Sequence, residues 1–339
     1  MKWTSVLALS IAITLLSGCS SIVSQQILYP YSERVEVEGA SYEQLLEEHN
    51  LEFKLANSSQ GNAIPYLFGD SSKLDEDYLI PKLEVSFTLT NTSSGEKRLY
   101  ELEFTGKNQS PPERKNNNGL VVLLHAYSAT QKQLFFDSTA WQLKGYDTIV
   151  VELLGHGSST DGPISFGPKD IERIHTIIEE YSLNNEQRLI LYGKSYGASI
   201  AAQYIQKYEG VDAFVAVAPM TSFTSAAMNF HKRYHSGLIK LIPEGWLHDN
   251  IEKTLVDSNV TSESIATPSI LKTLPKNRQV PTLILSGQND VVSDFNEIDS
   301  ATSLPNVTLK MLPERFHLLM MAYDDVMDKD INDWLNTHF

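Results

Sequence analysis

Cysteine is almost absent from this 339-residue sequence, and the motifs of common metal and nucleotide sites are missing. The single cysteine, Cys19, cannot form a disulfide within the chain. There is no H-E-x-x-H, G-x-G-x-x-G or P-loop stretch, which argues against a zinc enzyme and a nucleotide-binding enzyme. His231 and His235 are spaced four apart on a candidate helix, without an evident third ligand. We therefore predict neither a metal nor a cofactor.

Positive charge is scarce as well. The chain has 27 Lys and Arg residues against 42 Asp and Glu residues, a formal net charge of −15 and a pI near 5.0. A nucleic acid is bound by clustered Lys and Arg, so no nucleic-acid partner is expected. Hydrophobic residues make up 42% of the chain, enough for a sizeable core in one large domain or two ordinary ones.

The apolar run near the N terminus is too short to cross a bilayer. It extends from Val6 to Leu16, whereas a spanning helix needs about 20 residues. Lys2 precedes it and small residues follow, which is typical of a secretion signal. The four residues that end at Cys19, LSGC, resemble the lipobox of bacterial lipoproteins, in which the cysteine becomes the first mature residue and carries lipid.

This resemblance implies a signal peptide at residues 1–18 and a lipid anchor on Cys19, such as palmitate, in a bacterial cell envelope. The alternatives are an uncleaved anchor and an ordinary signal peptide. The only cysteine of the chain stands where acylation needs it, which favours the lipid anchor. Ser20, rather than Asp, follows the cysteine, and by resemblance to the Gram-negative sorting pattern this predicts the outer membrane.

Two kinds of structure are expected in the mature chain. Residues 19–82 are predicted as an N-terminal extension without assigned chemistry, including a candidate helix at Ser41–His49. Alternating apolar residues in Leu83–Thr90 and Arg98–Thr105, around a turn-rich stretch, predict a β-hairpin. The polar stretch 106–119 reads as an exposed loop.

After residue 119, short apolar runs alternate with helical patterns, as in a parallel sheet covered by helices on both faces. The helical patterns include Asp170–Tyr181 and Tyr196–Tyr208, with Gly210 placed to end the second. The predicted strands are LVVLL at 120–124, TIVVEL at 148–153, RLILY at 188–192, AFVAVA at 213–218, TLILS at 282–286 and VTLKML at 307–312.

The stretch GKSYG places Ser195 between the strand RLILY and the following helix. In this strand–turn–helix context, G-x-S-x-G forms a nucleophile elbow, because flanking glycines relieve crowding in the sharp turn. Here the chain resembles the α/β-hydrolase superfamily, in particular its lysophospholipase and serine-aminopeptidase members, over residues 83–339. For Lys194, within the motif, a solvent-facing turn position and a position at the pocket entrance both remain open.

The resemblance implies a Ser–Asp–His triad in that chain order. Asp290 follows an apolar strand in GQNDVV, which looks like the acid loop of the family, and Asp294 is the rival acid. His317 comes after the next strand, 27 residues beyond Asp290, where the family histidine lies. We predict Ser195 as nucleophile, Asp290 as the acid and His317 as general base.

The resemblance also implies an oxyanion hole of two backbone N–H groups. One donor would be Tyr196, the residue after the nucleophile, and the other Tyr127, in a stretch similar to the H-G-x-G of the family. Ala126 replaces a glycine there, so either the loop follows another path or the hole is less ideal. The Tyr127 hydroxyl either assists or is structural. ELLGHGSS resembles the family's D-x-x-G-H-G-x-S turn, and its His156 is expected to shape the fold.

About 60 residues, 219–281, separate two predicted strands and are predicted as a helical cap with many apolar residues. Together with the tether, this favours a membrane-bound serine esterase acting on a hydrophobic or lipid-like acyl ester. A peptidase or amidase is the alternative, in which Glu244, Asp249 and Glu252 attract an amine. A second alternative is a non-catalytic scaffold protein of the cell envelope.

Overall fold

The computed structural model describes most of the chain after residue 20, and the predicted signal segment and Cys19 lie outside the described residues. The described residues are 21, 23–30, 41–57, 63–74, 78–90, 97–106, 118–157, 159, 162–181, 187–234, 242–293, 298–299 and 303–339. No helix among them is both long and apolar enough to span a membrane.

Eight strands form one sheet in the order β1-β2-β6-β5-β7-β8-β9-β10, and β3 pairs with β4 in a separate hairpin. The pairs β1–β2 and β2–β6 are antiparallel, and every pair from β6 to β10 is parallel. The strands are β1 Leu51–Asn57, β2 Ala63–Gly69, β3 Leu83–Thr90, β4 Lys97–Phe104, β5 Gly119–Leu124, β6 Tyr146–Val151, β7 Arg188–Lys194, β8 Ala213–Val217, β9 Thr282–Gly287 and β10 Val307–Leu312.

Helices cover the sheet. They are α1 at residues 23–28, α2 Tyr42–Glu48, α3 Phe135–Leu143, α4 Pro168–Tyr181, α5 Tyr196–Lys207, α6 Phe223–Tyr234, α7 Glu244–Asp257, α8 Thr267–Thr273, α9 His317–Met320 and α10 Asp325–His338. The three helices α6 to α8 lie in the segment predicted as a cap.

The central strands are buried on both faces, and this is why their sequences are apolar without alternation. In β5, Leu120 and Val122 belong to one apolar cluster, whereas Val121 and Leu123 belong to a second cluster. Each parallel strand therefore contributes alternate residues to two cores. The predicted α/β class, strand positions and hairpin are confirmed.

The sheet begins earlier in the chain than predicted. β1 and β2 lie in the segment assigned to an N-terminal extension, yet β2 pairs with β6, for example Leu67 with Val150. A domain boundary at residue 83 is therefore too late. The sequence pattern does not indicate β1, because it is an edge strand with Phe53 and Leu55 half exposed. It therefore lacks the continuous apolar run of the central strands.

Candidate active site

Ser195 occupies a strained turn between β7 and α5. Its backbone has φ 48° and ψ −108°, a conformation that non-glycine residues rarely adopt and that persists only when its surroundings hold it. The surroundings are the end of β8: Ser195 N donates to Val217 O (2.8 Å), and Met220 N donates to Ser195 O (3.2 Å). Strain at this position is a feature of functional sites.

Both glycines of GKSYG are required by contact. A Cβ on Gly193 would lie 2.5 Å from Ala198 N, and a Cβ on Gly197 would lie 2.2 Å from Leu124 O. The first turn of α5 is thus pressed against the end of β5. Because the loop after β5 starts at that point, the close approach at Gly197 also sets the distance between this loop and Ser195.

Asp290 and His317 form a buried hydrogen-bonded pair. His317 Nδ1 lies 2.8 Å from Asp290 Oδ2, and a carboxylate only accepts, so the ring donates its Nδ1–H. The other oxygen of Asp290 accepts the N–H groups of Val292 (2.9 Å) and Ser293 (3.0 Å). The carboxylate is therefore fixed, and His317 is left with a lone pair on Nε2. The rival acid, Asp294, lies outside the described residues.

Ser195, Asp290 and His317 follow the ends of β7, β9 and β10, at one edge of the parallel sheet. Contacts across β8 join their loops. Ser293 Oγ donates to Ala218 O (3.0 Å), directly after the residue that accepts the Ser195 N–H. The acid and histidine loops are joined as well, because Asn289 N donates to Arg315 O (2.8 Å).

Lys194 takes neither of its two predicted positions. It is fully buried: its Nζ lies 2.7 Å from Asp137 Oδ1 and donates to Asp137 Oδ2 (2.8 Å) and to Met321 O (2.9 Å). Burial lowers the pKa of the Lys194 ammonium, and the Asp137 carboxylate opposes this shift. Met321 directly follows α9, the helix that begins with His317. Lys194 thus links the turn that carries Ser195 to the segment that begins with His317, which is called the histidine segment below.

The loop after β5 carries the first predicted oxyanion donor. Ala126 N donates to Gln133 Oε1 (3.0 Å), so that N–H is occupied. Among the described residues, the backbone N–H groups of Tyr127 and Tyr196 donate to no protein acceptor outside regular helix and strand bonding. The positive φ of the loop falls on Ser128 (61°) and not on Ala126. The loop therefore takes the alternative path, and the alanine there is unstrained.

The Tyr127 hydroxyl is structural. It donates to Ile27 O (3.0 Å) in α1, and the ring makes edge contacts with Tyr196 (6.1 Å between centroids) and Phe223 (5.2 Å). Burial raises the pKa of Tyr127, so the hydroxyl stays protonated. This aromatic group forms an apolar wall beside the predicted oxyanion hole.

Glu152 and His156 both contact the same loop, His156 through its ring, which lies 5.1 Å from the His125 ring and 5.6 Å from the Tyr127 ring between centroids. Glu152 Oε1 lies 3.2 Å from His125 Nε2 and accepts the Gln131 N–H (3.1 Å), which ties the turn after β6 to the loop after β5. His156 Nδ1 lies 2.9 Å from Leu154 O within its own turn, and burial, with His125 as a lesser cause, lowers its pKa to about 3.

No group of three or more His, Cys, Asp or Glu side chains in the described part of the chain is arranged to hold a metal ion. His235, one member of the histidine pair noted in the sequence, lies outside that part.

Comparison with known proteins gives one family match and several similar folds. Residues 115–266 match the family described as "Serine aminopeptidase, S33". The match includes Ser195 and both predicted oxyanion donors, and it ends before Asp290 and His317. No curated protein matched the chain in sequence.

Solved structures resemble almost the whole chain. An esterase from Pyrococcus furiosus is 15% identical, with 91% of this chain and 99% of that chain covered and a TM-score of 0.57. The chain has an α/β-hydrolase fold. A 2,6-dihydroxy-pseudo-oxynicotine hydrolase is 14% identical, covering 97% of this chain and 83% of its own, with a TM-score of 0.54. A carboxylesterase from Bacillus subtilis is 14% identical, covering 88% and 96%, with a TM-score of 0.50.

Two features of this α/β-hydrolase fold were missed from the sequence. One is the Lys194–Asp137 pair: Ile190, Tyr192 and Lys194 alternate on one face of β7, so the strand period already placed the lysine toward a core. The other is α1, which contacts Tyr127 across about 100 residues of sequence. No local pattern indicates such a contact.

Proposed function

We propose that the protein is a serine hydrolase that cleaves carboxylic esters through Ser195, His317 and Asp290. The observation that carries this proposal is the buried hydrogen bond between Asp290 and His317, at the sheet edge where Ser195 is held in a strained turn. Such an arrangement suits acyl transfer, in which a base activates a serine and a carboxylate orients the base.

The proposed reaction has two steps. His317 Nε2 takes the proton of the Ser195 hydroxyl, and the oxygen attacks the ester carbonyl while the N–H groups of Tyr127 and Tyr196 bind the oxyanion. Collapse expels the alcohol, which receives the proton from His317. Water, activated by His317, then attacks the acyl-enzyme and releases the acid. Each oxyanion donor in such sites contributes about 3 kcal/mol to the transition state.

The surroundings of Ser195 favour an apolar acyl group. Tyr127 packs edge-on against Phe223 at the start of the cap, and Met220, which is buried, donates its N–H to Ser195 O. These apolar residues lie beside the turn that carries Ser195, and apolar surroundings suit a hydrocarbon chain. Hydrolysis of short but not medium-chain esters would contradict this preference.

The acidic cap residues give little support to the amine-binding alternative. Glu244 pairs with Lys232 (3.0 Å), Glu252 accepts the Thr224 hydroxyl, and the Asp249 side chain is 83% exposed beside His248. Carboxylates that are already paired or exposed to water gain little from binding an amine. We therefore place ester hydrolysis ahead of peptide or amide hydrolysis.

Labelling with a fluorophosphonate probe tests the proposal. Wild-type protein should be labelled, whereas Ser195→Ala and His317→Ala should not. His248→Ala, which removes an exposed histidine of the cap, is the matched control and should be labelled normally. A panel of p-nitrophenyl esters and aminoacyl anilides then separates esterase from peptidase activity. Absence of labelling in folded wild-type protein would instead favour the non-catalytic scaffold.

The same proposal includes a membrane tether at Cys19 in a bacterial envelope, with the outer membrane as destination. Its support is the lipobox-like sequence around the only cysteine. Cells fed a palmitate analogue should incorporate it into wild-type protein and not into Cys19→Ala. Fractionation of the envelope checks the membrane.

A further inference from the structure

The short helix α1 contacts three segments near the proposed active site. They are the cap, the loop after β5 that carries Tyr127 (the oxyanion loop) and the segment between β6 and α4, and together they are called the entrance below. Ser24 Oγ hydrogen-bonds to Thr254 Oγ1 of α7 in the cap (2.8 Å). Ile27 O accepts the Tyr127 hydroxyl from the oxyanion loop (3.0 Å). Leu28 O accepts the N–H of Ile164, in the segment between β6 and α4 (3.0 Å). A helix of two turns thus contacts the cap, the oxyanion loop and the adjoining segment.

Apolar packing strengthens these contacts. Ile27 is buried, 8% exposed, in the same cluster as Phe223 of α6 and Leu255 of α7. A Cβ on Gly155 would lie 2.6 Å from Leu28 O, so the backbone of α1 approaches the turn after β6 very closely. Helix α1 is therefore a structural part of the entrance.

The proposed anchor lies close to these contacts along the chain. Cys19 precedes Ser24 by five residues, and five extended residues span at most about 18 Å. A lipid on Cys19 would therefore insert into a bilayer within about 18 Å of the Ser24–Thr254 contact. The entrance cannot be far from the membrane while α1 keeps its place.

The net charge of the cap also favours its lying toward the bilayer. Residues 219–281 contain seven Lys and Arg and five Asp and Glu, a net charge of +2 in a chain whose net charge is −15. Phospholipid surfaces that contain anionic lipids attract basic segments and repel acidic ones. An anionic bilayer surface thus repels the cap less than it repels the chain as a whole.

We propose that α1 and the lipid on Cys19 hold the cap and oxyanion loop against the bilayer, so that the substrate is an acyl ester resident in the membrane surface. This inference rests on the proposed function and on the proposed anchor. It names the substrate class as amphiphilic lipid esters that enter from the bilayer, in preference to esters dissolved in water.

The test changes the length of the tether and keeps the lipid. A 20-residue Gly/Ser spacer is inserted between Ser20 and Ser21 in the full-length lipoprotein. Such a spacer has a root-mean-square length of about 25 Å, which releases the entrance from the surface. Wild type, the spacer variant and Cys19→Ala are assayed on a lysophospholipid ester in anionic vesicles and on p-nitrophenyl butyrate in solution.

We expect the spacer variant and Cys19→Ala to lose at least tenfold in rate on the vesicle substrate, with rates on the soluble ester within twofold of wild type. Lipidation of the wild type and spacer variant is verified by mass spectrometry. Equal vesicle rates for all three proteins would overturn the inference, as would equal rates for the two lipidated proteins. If the 20-residue spacer impairs folding, a 10-residue Gly/Ser spacer at the same place, with a root-mean-square length of about 17 Å, replaces it in the comparison with wild type. A wild type inactive on both substrates would instead refute the proposed function.

Discussion

Replacing Lys194 by methionine should lower both the free energy of unfolding and the kcat of the proposed reaction. The methylene stem is largely kept, and what is lost is an ammonium that is completely buried against Asp137, itself completely buried. Asp137 then keeps one described partner, the Tyr192 hydroxyl, which donates to Oδ1 (2.6 Å). Breaking a buried ion pair from one side typically costs about 3–5 kcal/mol, because the remaining charge is uncompensated.

A matched pair on the same molecule separates stability from positioning. Lys144 pairs with buried Asp328, which also accepts a tyrosine hydroxyl, from Tyr323 (2.7 Å). Lys144 Nζ donates its further hydrogen bond to Ala140 O (3.1 Å), within α3, and not to the histidine segment. Lys144→Met should therefore show a similar loss of stability without a direct effect on the site.

The assays are denaturant unfolding at pH 7, followed by tryptophan fluorescence, and steady-state kinetics on a soluble ester. Lys194→Met should also lower kcat by about five- to tenfold, because the hydrogen bond to Met321 O is worth about 1 kcal/mol and 1.4 kcal/mol corresponds to tenfold. KM should change little. Adding Asp137→Asn to Lys194→Met should restore part of the stability, because the buried charge is removed.

A loss of stability below about 1 kcal/mol in Lys194→Met would refute the reasoning about the buried pair. An equal kcat in folded Lys194→Met and Lys144→Met would refute a positioning role for Lys194. The role of the Lys194–Asp137 pair in stability would not be affected by that result.

Three further outcomes follow from the geometry. Asp290→Asn should lower kcat by about 10³–10⁴ with little change in KM, because the amide no longer holds His317 in the required tautomer; a loss under tenfold would contradict this. Gly197→Ala should abolish labelling of Ser195 or prevent folding, since its Cβ would lie 2.2 Å from Leu124 O, whereas Gly245→Ala, in open space on the cap, should be neutral. Burial lowers the pKa of His156 to about 3 from its ordinary 6.5, so the unfolded state binds the extra proton between these values. The free energy of unfolding should then fall by about 2 kcal/mol from pH 7 to pH 5 on this account, and His156→Phe should remove that part of the slope in denaturant titrations.

The position of α1 adds a physical reason for the proposed tether. A lipid anchor usually fixes only the location of a protein, but the helix that follows the proposed anchor hydrogen-bonds to the cap and to the loop after β5. The orientation of the site relative to the bilayer is then a property of the fold, which the spacer experiment measures.

The local sequence alone determined the parallel core and the order of the candidate site residues. Strands such as 120–124 are apolar throughout because both faces are buried, and the glycines around Ser195 reflect crowding within one turn. Both signals are short in sequence, so they are visible without knowing what lies nearby in space.

Only the tertiary structure decided the partners of those residues. Asp290 reaches His317 across 27 residues, Lys194 reaches Asp137 across 57, and Tyr127 reaches Ile27 across 100. The strand period places Lys194 toward a core, but the residue that compensates its charge lies elsewhere in the chain, and only the tertiary structure identifies it. The sequence does not indicate the edge strand β1 or the helix α1 either. Contacts with β2, the cap and the oxyanion loop decide which of their residues are buried, and local periodicity does not.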